Sequence, residues 1–327
     1  MQRGHTHGSE STRVIVTVTP NAAVDKTYCV EHFTLDRVNR PSREQTVAGG
    51  KGVNVARVYR TLGGTAVATG FLGGIQGRML AQALSREGMP EAFVRIREET
   101  RLCIAVIDPV HGTQTEVNEQ GPRVTARQCH ALKKRVQQLL SQYRPSCVVL
   151  SGSLPPGAPH TLYAELIELA RRNGTRAVLD SSGMALHAGL QARPWMVKPN
   201  RAEAEALLQQ PVRTLEQARE AAQKLCELGV EIVALTLGAE GALLRTREGI
   251  WWSVPPAITF ASAVASGDAF VAAFLWEWFH GNCPGDVVSA LRLATGAGAA
   301  NAAVIGAGFC TRDAIYAMAQ RVQLDPI

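Results

Sequence analysis

Two glycine-marked segments near opposite ends of the chain carry residues whose types and spacing could serve phosphate chemistry. They are AGGKGVN at 48–54 and VASGDAF at 264–270, and each opens a helix-like apolar pattern. The first turn of a helix presents unpaired N–H groups and the positive end of the helix dipole, so both segments could receive an anion. Asp268 places a negative charge where a negative ligand would bind, which makes sense if its carboxylate takes a proton from an attacking hydroxyl. The alternative, that Ser266 or Asp268 simply caps the helix, stays open at this point.

Two familiar nucleotide-binding motifs can be set aside. Lys51 is followed by Gly52, so the GxxxxGK[ST] pattern of a P-loop is absent. The stretch TGAGAAN at 295–301 resembles a dinucleotide fingerprint, but it follows a helical pattern and not a strand. We therefore interpret its small residues as permitting close helix packing or the approach of a purine ring.

The elements that must position these residues alternate between strand and helix. Strand-like runs lie at 14–20, 66–73, 147–153, 177–183, 196–200 and 232–238, and helix-like stretches lie at 76–88, 125–143, 160–173 and 214–228. This order predicts an α/β fold with a mostly parallel central sheet that is covered by helices on both faces. The C-terminal third has only helical patterns, and we expect its helices to pack along one side of the sheet; they lie at 267–280, 285–303 and 311–321.

Two polar-rich segments, residues 26–47 and 100–120, break this rhythm with alternating strand patterns and no helix. They predict a small second β-sheet inserted into the main domain. A sheet with so little core of its own needs a partner, so we expect it to serve as a lid, a dimer interface or both. The rest of the chain is expected to form the main α/β domain at 13–25, 48–99 and 121–327, after a flexible tail at 1–12.

Polar residues follow the apolar runs where a parallel sheet binds its ligands, beyond the carboxyl ends of the strands. Each of them alone is an ordinary turn residue. Together they indicate a phosphorylated, hydroxyl-rich substrate and a nucleotide. The set comprises Asn21, Asp25, Ser151, Ser153, Asp180, Lys198, Asn200, Thr236 and Gly238.

Composition excludes several classes of protein. Hydrophobic residues make up 46% of the 327 residues, yet no run approaches the roughly 20 apolar residues of a membrane span, and residues 1–12 lack the apolar stretch of a signal peptide. We therefore expect a soluble, cytoplasmic protein. The seven cysteines show no CxxC spacing and the eight histidines no HExxH, which argues against a disulfide framework or a zinc site. The net charge of +6 is spread without a Lys/Arg block, which fits small anions better than nucleic acid.

Eight motifs, in this order, resemble the PfkB branch of the ribokinase-like sugar kinases from about residue 13 to the C-terminus. They are TPNAAVDKTYCV, AGGKGVNVARVYRTLGG, TEVNEQGP, LSGSLPPG, LDSSG, WMVKPNRAEAEAL, TLGAEGALL and SGDAFVAAFL. The resemblance implies an α/β main domain with a β lid that often joins two subunits into a homodimer. It also implies transfer of the ATP γ-phosphoryl group, with Mg²⁺, to a ketohexose phosphate. Fructose 1-phosphate is the expected acceptor, with tagatose 6-phosphate and fructose 6-phosphate as alternatives.

The resemblance also implies roles for single residues. Asp25, Gly49, Gly50 and Asn54 would hold the sugar hydroxyls, with Lys51 also at the substrate, while Arg37, Arg101 and Ser153 would hold the existing phosphate. Lys198, Asn200, Thr236, Gly238, Gly241 and Asn301 would contact the nucleotide, and Asn200 with Glu203 would organise magnesium. Asp268 matches the catalytic base, and the backbone N–H groups of Ala265, Ser266 and Gly267 would join its own in stabilising the transferring phosphoryl group. Glu203 and Arg37 could instead be solvated surface charges.

One departure from the family pattern concerns this last segment. Ala265 stands where the family usually has glycine, and Ala263 where threonine is common. If position 265 requires a positive φ, alanine there costs about 1 to 2 kcal/mol and the anion hole would be shifted or weakened. This leaves a second hypothesis, a phosphosugar-binding regulatory protein with weak kinase activity.

Overall fold

The computed structural model describes residues 13–327, so the tail predicted at 1–12 lies outside the described residues. The strands in chain order are β1 (Val14–Thr19), β2 (Ala23–Cys29), β3 (Arg43–Gly49), β4 (Thr65–Gly73), β5 (Val94–Ile96), β6 (Arg101–Asp108), β7 (Thr113–Asn118), β8 (Cys147–Ser151), β9 (Arg176–Asp180), β10 (Met196–Val197), β11 (Ile232–Thr236), β12 (Ala242–Arg245), β13 (Ile250–Val254) and β14 (Gln323–Pro326). The helices are α1 (Lys51–Thr61), α2 (Gly74–Arg86), α3 (Ala126–Tyr143), α4 (Leu162–Arg172), α5 (Gly183–Gln191), α6 (Arg201–Leu208), α7 (Leu215–Glu227), α8 (Ser266–His280), α9 (Val287–Ala302) and α10 (Arg312–Ala319).

The main sheet has ten strands in the order β14-β13-β12-β11-β10-β9-β8-β1-β4-β5. From β5 to β11 all neighbours are parallel, and β12, β13 and β14 extend one edge as antiparallel strands. This confirms the predicted mostly parallel sheet. Each apolar run that predicted a strand in this sheet contains one, because strands covered on both faces need few polar residues.

Helices cover both faces of the main sheet. Alternate residues of β1 belong to two separate buried clusters. Ile15 is in a cluster with residues of α1, α2, α8, α9 and α10, whereas Val16 is in a cluster with residues of α3, α4, α5, α6 and α7. The C-terminal helices therefore lie along one side, as predicted. On that side α1 packs against α8, which brings the two glycine-marked segments together at the carboxyl end of the sheet.

A second sheet of four strands, which we call the lid sheet, has the order β3-β2-β6-β7. Its strands come from the two segments predicted to form an inserted sheet. They extend slightly beyond those segments, since β2 begins at Ala23 and β3 ends at Gly49. Asp25 therefore belongs to the lid sheet, while the division of the chain into domains stays a prediction.

Among residues 13–327, none of the helices has both the length and the apolar character needed to cross a membrane.

Candidate active site

A cleft of about 1370 Å³ lies between the lid sheet and the carboxyl end of the main sheet. Its walls come from the lid strands β2, β6 and β7, from the first turns of α1 and α8, and from the segments that follow β9, β10 and β11. This is the position where open parallel sheets bind ligands.

Asp268 lies in the first turn of α8 and is buried, with 4% of its surface exposed. Its Oδ2 atom accepts a hydrogen bond of 2.9 Å from Nδ2 of Asn54, in the first turn of α1. Within residues 13–327 no side chain caps the N-terminus of α8, so the alternative that Ser266 or Asp268 serves as the helix cap is wrong. A short, strongly polar side chain that does not cap its helix is free to face a ligand.

The turn before α8 has a left-handed residue at position 265, where this chain has alanine and the family usually has glycine. Ala265 is the N-cap residue with φ 64° and ψ 9°, in the left-handed region. The positive φ at position 265 is therefore present, at a cost of about 1 to 2 kcal/mol for a residue with a Cβ atom. Of the four N–H groups expected to receive charge, that of Ser266 donates to the Ala263 carbonyl at 3.2 Å. The N–H groups of Ala265, Gly267 and Asp268 have no partner within the described part of the chain.

Asp180, at the end of β9, holds two lysines in the floor of the cleft. Its Oδ1 atom lies 3.0 Å from Nζ of Lys51 and 3.3 Å from Nζ of Lys198. Burial opposes ionisation of Asp180, but Lys198 and Lys51 outweigh burial and hold its pKa below the usual range. In Lys51 the nearby acidic groups Asp180, Glu203 and Asp268 likewise outweigh burial and raise the pKa.

This cluster sets the protonation of Asp268. Burial, reinforced by the negative charge of Asp180, raises the pKa of Asp268 to about 7, while Lys51, the Asn54 amide and Lys198 act in the opposite direction. A carboxyl group with that pKa is well matched to accept a proton near neutral pH. Gly267 permits the close approach of Lys198, since a Cβ atom there would lie 3.2 Å from its Nζ.

Asn200 and Glu203 form a reciprocal cap at the start of α6. The Asn200 side chain accepts from the Glu203 N–H at 2.8 Å, and Oε2 of Glu203 accepts from the Asn200 N–H at 2.9 Å. Oε1 of Glu203 lies 3.8 Å from Nζ of Lys51, and only 12% of the Glu203 side chain is exposed. Glu203 is therefore not a solvated surface charge, and both residues line the cleft.

The lid end of the cleft contains Asp25, Gly50 and Arg101. Burial raises the pKa of Asp25 to about 6 against the Gly50 N–H and the charges of Arg101 and Arg57. Gly49 is required beside it, because a Cβ atom at 49 would lie 2.0 Å from Oδ2 of Asp25. Arg101 donates to the carbonyls of Asn21 and Glu119 at 3.1 and 3.2 Å and is only partly buried.

Four residues assigned from the resemblance do not line the cleft of the described chain: Gly49, described above beside Asp25, and Arg37, Ser153 and Asn301. Arg37 is exposed in the loop between β2 and β3, which fits its alternative as a surface charge. Ser153 accepts a hydrogen bond of 3.1 Å from Nδ2 of Asn21. Asn301 is fully buried, and its Nδ2 donates to the Val264 carbonyl at 2.7 Å, so it supports the turn before α8 from behind.

The opposite end of the cleft could receive a nucleotide. Thr236, Gly238 and Gly241 lie there, and a largely apolar loop, residues 255–260, faces them. Gly298, Ala299 and Ala302 of α9 line the same end, whereas a Cβ atom at Gly296 would lie 2.5 Å from the backbone N of Ala319. Both interpretations of the stretch 295–301, helix packing and room for a ring, are thus compatible with its position.

Sequence reasoning missed several residues of the cleft. Asp180 was noted at a strand end without a role, and its position beside the strand of Lys198 was the signal that could have assigned one. The lid residues Lys26, Thr27, Cys103, Glu116 and Asn118 were missed because their common face depends on the pairing of β2 with β6 and of β6 with β7. The loop at 255–260 has no chemical signature of its own.

A buried carboxylate that can accept a proton, free N–H groups at a helix N-terminus and a lysine pair are the parts that a phosphotransferase acting on hydroxyl groups needs. The model of the pfkB family carbohydrate kinases matches residues 18–314. The chain belongs to this family, which confirms the resemblance read from its motifs.

Individual relatives agree with the family. A 1-phosphofructokinase of Rhodobacter capsulatus is 40% identical over 282 residues, which cover 86% of this chain and 88% of the relative. The crystal structure of phosphofructokinase-2 from Escherichia coli in complex with substrates and products has a TM-score of 0.86 at 29% identity, covering 94% of this chain and 98% of that one. An Arabidopsis thaliana ribokinase, with a TM-score of 0.75 at 22% identity over 95% of this chain and 99% of that one, shows that the fold is ribokinase-like, as predicted.

Proposed function

We propose that the protein transfers the γ-phosphoryl group of ATP to fructose 1-phosphate and so forms fructose 1,6-bisphosphate. The observation that carries the proposal is the buried Asp268 carboxylate beside unpartnered N–H groups at the start of α8. The similarity to a 1-phosphofructokinase favours this acceptor over tagatose 6-phosphate and fructose 6-phosphate.

In the proposed reaction the acceptor hydroxyl is placed next to Asp268. Its oxygen forms a bond to the γ-phosphorus while the bond to the β–γ bridging oxygen breaks, and the hydroxyl proton passes to the Asp268 carboxylate. ADP leaves with the bridging oxygen. The N–H groups of Gly267 and Asp268 would receive the negative charge of the transferring group, and Lys198 would neutralise part of it.

The sugar would bind at the lid end of the cleft. The carboxylate of Asp25 would accept hydrogen bonds from sugar hydroxyls. Arg101 is the candidate for the existing phosphate, since guanidinium groups bind phosphate with two parallel hydrogen bonds. Lys51 and Lys26 also line the cleft and would add positive charge there. Thr236, Gly238 and Gly241 would contact the nucleotide.

The residues present fit a magnesium ion. Oδ2 of Asp180 is buried without a hydrogen-bond partner in the described residues, and Glu203 offers a second carboxylate in the same floor. Two carboxylates together with substrate phosphates are a usual oxygen donor set for Mg²⁺. When bound, the ion would neutralise charge on the ATP phosphates.

The start of α8 also gives some support to the second candidate function, a phosphosugar-binding regulatory protein. Ala265 is in the left-handed conformation, and the N–H of Ser266 already donates to the Ala263 carbonyl. Fewer than the four expected N–H groups are therefore free to bind the transferring phosphoryl group. A phosphosugar-binding regulatory protein would tolerate this weakness, whereas an efficient kinase would need the remaining donors to suffice.

A substrate panel in a coupled ADP-release assay tests the proposal. It would include fructose 1-phosphate, fructose 6-phosphate, tagatose 6-phosphate, free fructose and a nucleoside, each with ATP and Mg²⁺. Fructose 1-phosphate is expected to give the highest kcat/KM. Preference for free fructose or a nucleoside would contradict the proposal, and tight sugar-phosphate binding without ADP release would favour the regulatory protein.

The lid sheet supports a further part of the proposal, a homodimer formed through it in the cytoplasm. Its strands and the loop between them expose large apolar side chains, including Leu35 and Val38 at 80% and Val117 at 61%. Such side chains would be buried by a second copy of the lid. Light scattering of the wild-type protein and of Val117→Asp would compare the assembly states.

A further inference from the structure

Arg57 is a buried arginine in α1, three residues after the cleft residue Asn54. Only 6% of its surface is exposed, and it lies in α1 on the side facing α2 and the loop after α9. All five N–H donors of its guanidinium group have acceptors in the protein. A buried charge is costly unless it is paired and hydrogen-bonded. The complete set of partners shows that the surrounding protein holds the Arg57 side chain in one orientation.

Three of the five donors tie together separate parts of the chain. Nη2 donates to the carbonyl of Ala48 at the end of lid strand β3, at 2.6 Å. Nη1 donates at 3.0 Å to the carbonyl of Ala307, whose neighbour Gly308 donates to Asn301 behind the turn before α8. Nη1 also donates to Oδ1 of Asn54 at 3.1 Å.

The contact with Asn54 decides which way that side-chain amide points. Because a guanidinium group can only donate, Arg57 can hydrogen-bond Oδ1 of Asn54 but not its Nδ2 group. With Oδ1 held by Arg57, Nδ2 must point the other way, and it donates to Oδ2 of Asp268 at 2.9 Å. A flipped amide would place an oxygen against the carboxylate and an NH₂ group against the guanidinium.

We propose that Arg57 is a positioning residue for phosphoryl transfer, which fixes the Asn54 amide so that it stabilises the ionised form of Asp268. This inference rests on the proposed function, in which Asp268 accepts the hydroxyl proton. Arg57 does not line the cleft, and it reaches Asp268 through Asn54. Its positive charge also lowers the pKa of Asp25, so the charge must be kept when the hydrogen bond to Asn54 is tested.

Several charged groups face Asp268, and the test must separate Arg57 from them. Asp180 from β9 raises the pKa of Asp268, whereas Lys51 from α1 and Lys198 after β10 lower it together with the Asn54 amide. A substitution that leaves these groups and the charge at position 57 in place isolates the amide orientation.

Arg57→Lys meets this condition, because lysine keeps the positive charge but cannot form the fork of directed donors. The acid limb of kcat/KM against pH is expected to move up by about 1 to 2 pH units, the size expected for losing one charge-assisted hydrogen bond. At pH 7 the value of kcat/KM would then fall by about 10-fold, while the limiting value at high pH changes much less. An unchanged acid limb in both folded Arg57→Lys and folded Arg57→Met, which has no donor at position 57, would overturn the proposal.

Glu87→Gln provides the matched control. The Glu87 carboxylate pairs with Nε and Nη2 of Arg57 at 2.8 and 3.0 Å, so this variant loses the ion pair but keeps the guanidinium group and its bond to Asn54. Its melting temperature is expected to fall, but its acid limb should not move up. An upward shift in Glu87→Gln equal to that in Arg57→Lys would mean that general loosening, and not the amide, is responsible.

If Arg57→Lys does not fold, the proposal can be tested by an NMR titration of the wild-type protein. The guanidinium N–H signals of Arg57 in ¹⁵N NMR spectra should shift with the same titration that limits kcat/KM, since only Asn54 separates Arg57 from Asp268. Signals that stay fixed through that titration would overturn the proposal. Failure of the proposed function is a different result, namely wild-type protein that releases no ADP with any sugar phosphate.

Discussion

Replacing Ala265 by glycine should stabilise the protein, although glycine usually destabilises a folded chain. Ala265 has φ 64°, where a Cβ atom costs about 1 to 2 kcal/mol and glycine costs nothing. Glycine gives back roughly 0.5 to 1 kcal/mol of this through its greater freedom in the unfolded state. The expected net gain in the free energy of unfolding is therefore about 0.5 to 1 kcal/mol, or roughly 1 to 2 °C in Tm for a chain of this length.

The assay is thermal and urea unfolding of wild-type protein, Ala265→Gly and a matched control. Ala317→Gly makes the same chemical change at an exposed position inside α10, where the residue has ordinary helical geometry, and should cost about 1 kcal/mol. The two variants are thus expected to differ in sign. A loss of stability in Ala265→Gly comparable to that in Ala317→Gly would refute the assignment of strain to this turn.

Three further predictions concern the chemistry of the cleft. Glu203→Gln retains an acceptor for the Asn200 cap, so it should raise the magnesium requirement more than the sugar KM; an unchanged magnesium dependence would leave Glu203 with the capping role alone. Arg101→Met should lower kcat/KM for fructose 1-phosphate by roughly 10-fold or more with much less effect on the KM for ATP, and equal effects on both substrates would contradict its role at the sugar phosphate. Because Asp268 must be ionised to accept a proton and its pKa is raised to about 7, kcat/KM should fall as the pH drops below 7; a flat profile from pH 6 to pH 8 would contradict this.

Most of the fold could be predicted because its elements are encoded locally. The buried strands of the main sheet are short apolar runs, and the helices between them have apolar faces at three- and four-residue spacing. The lid sheet was predictable as a separate piece from its alternating pattern. Its exact extent was not, since the pattern of β2 merges with the polar residues that follow β1. Asp25 was therefore expected after the first strand and not within a lid strand.

The candidate site could be predicted only where its residues lie within one short motif. Asp268 and Asn54 stand in glycine-marked helix starts, and the packing of α1 against α8 brings them into contact. The salt bridges of Asp180 with Lys51 and Lys198 join residues from different elements, so no local sequence pattern predicts them. Asn301 illustrates the converse, because a polar residue in a promising motif turned out to be buried in support of the turn before α8.

The measurement that tests the central claim most directly is the turnover of Asp268→Asn. Asparagine preserves the shape of the side chain and removes the base, so kcat with fructose 1-phosphate and ATP should fall by roughly 10² to 10⁴. The fold should survive. Burial raises the pKa of Asp268 to about 7, so the folded state loses stability as the pH rises from the ordinary aspartate pKa to about 7 and carries the full cost above it. The variant, which has no carboxylate to ionise, should therefore melt no lower than wild type at pH 8. A folded Asp268→Asn protein that turns over at nearly the wild-type rate would contradict the account.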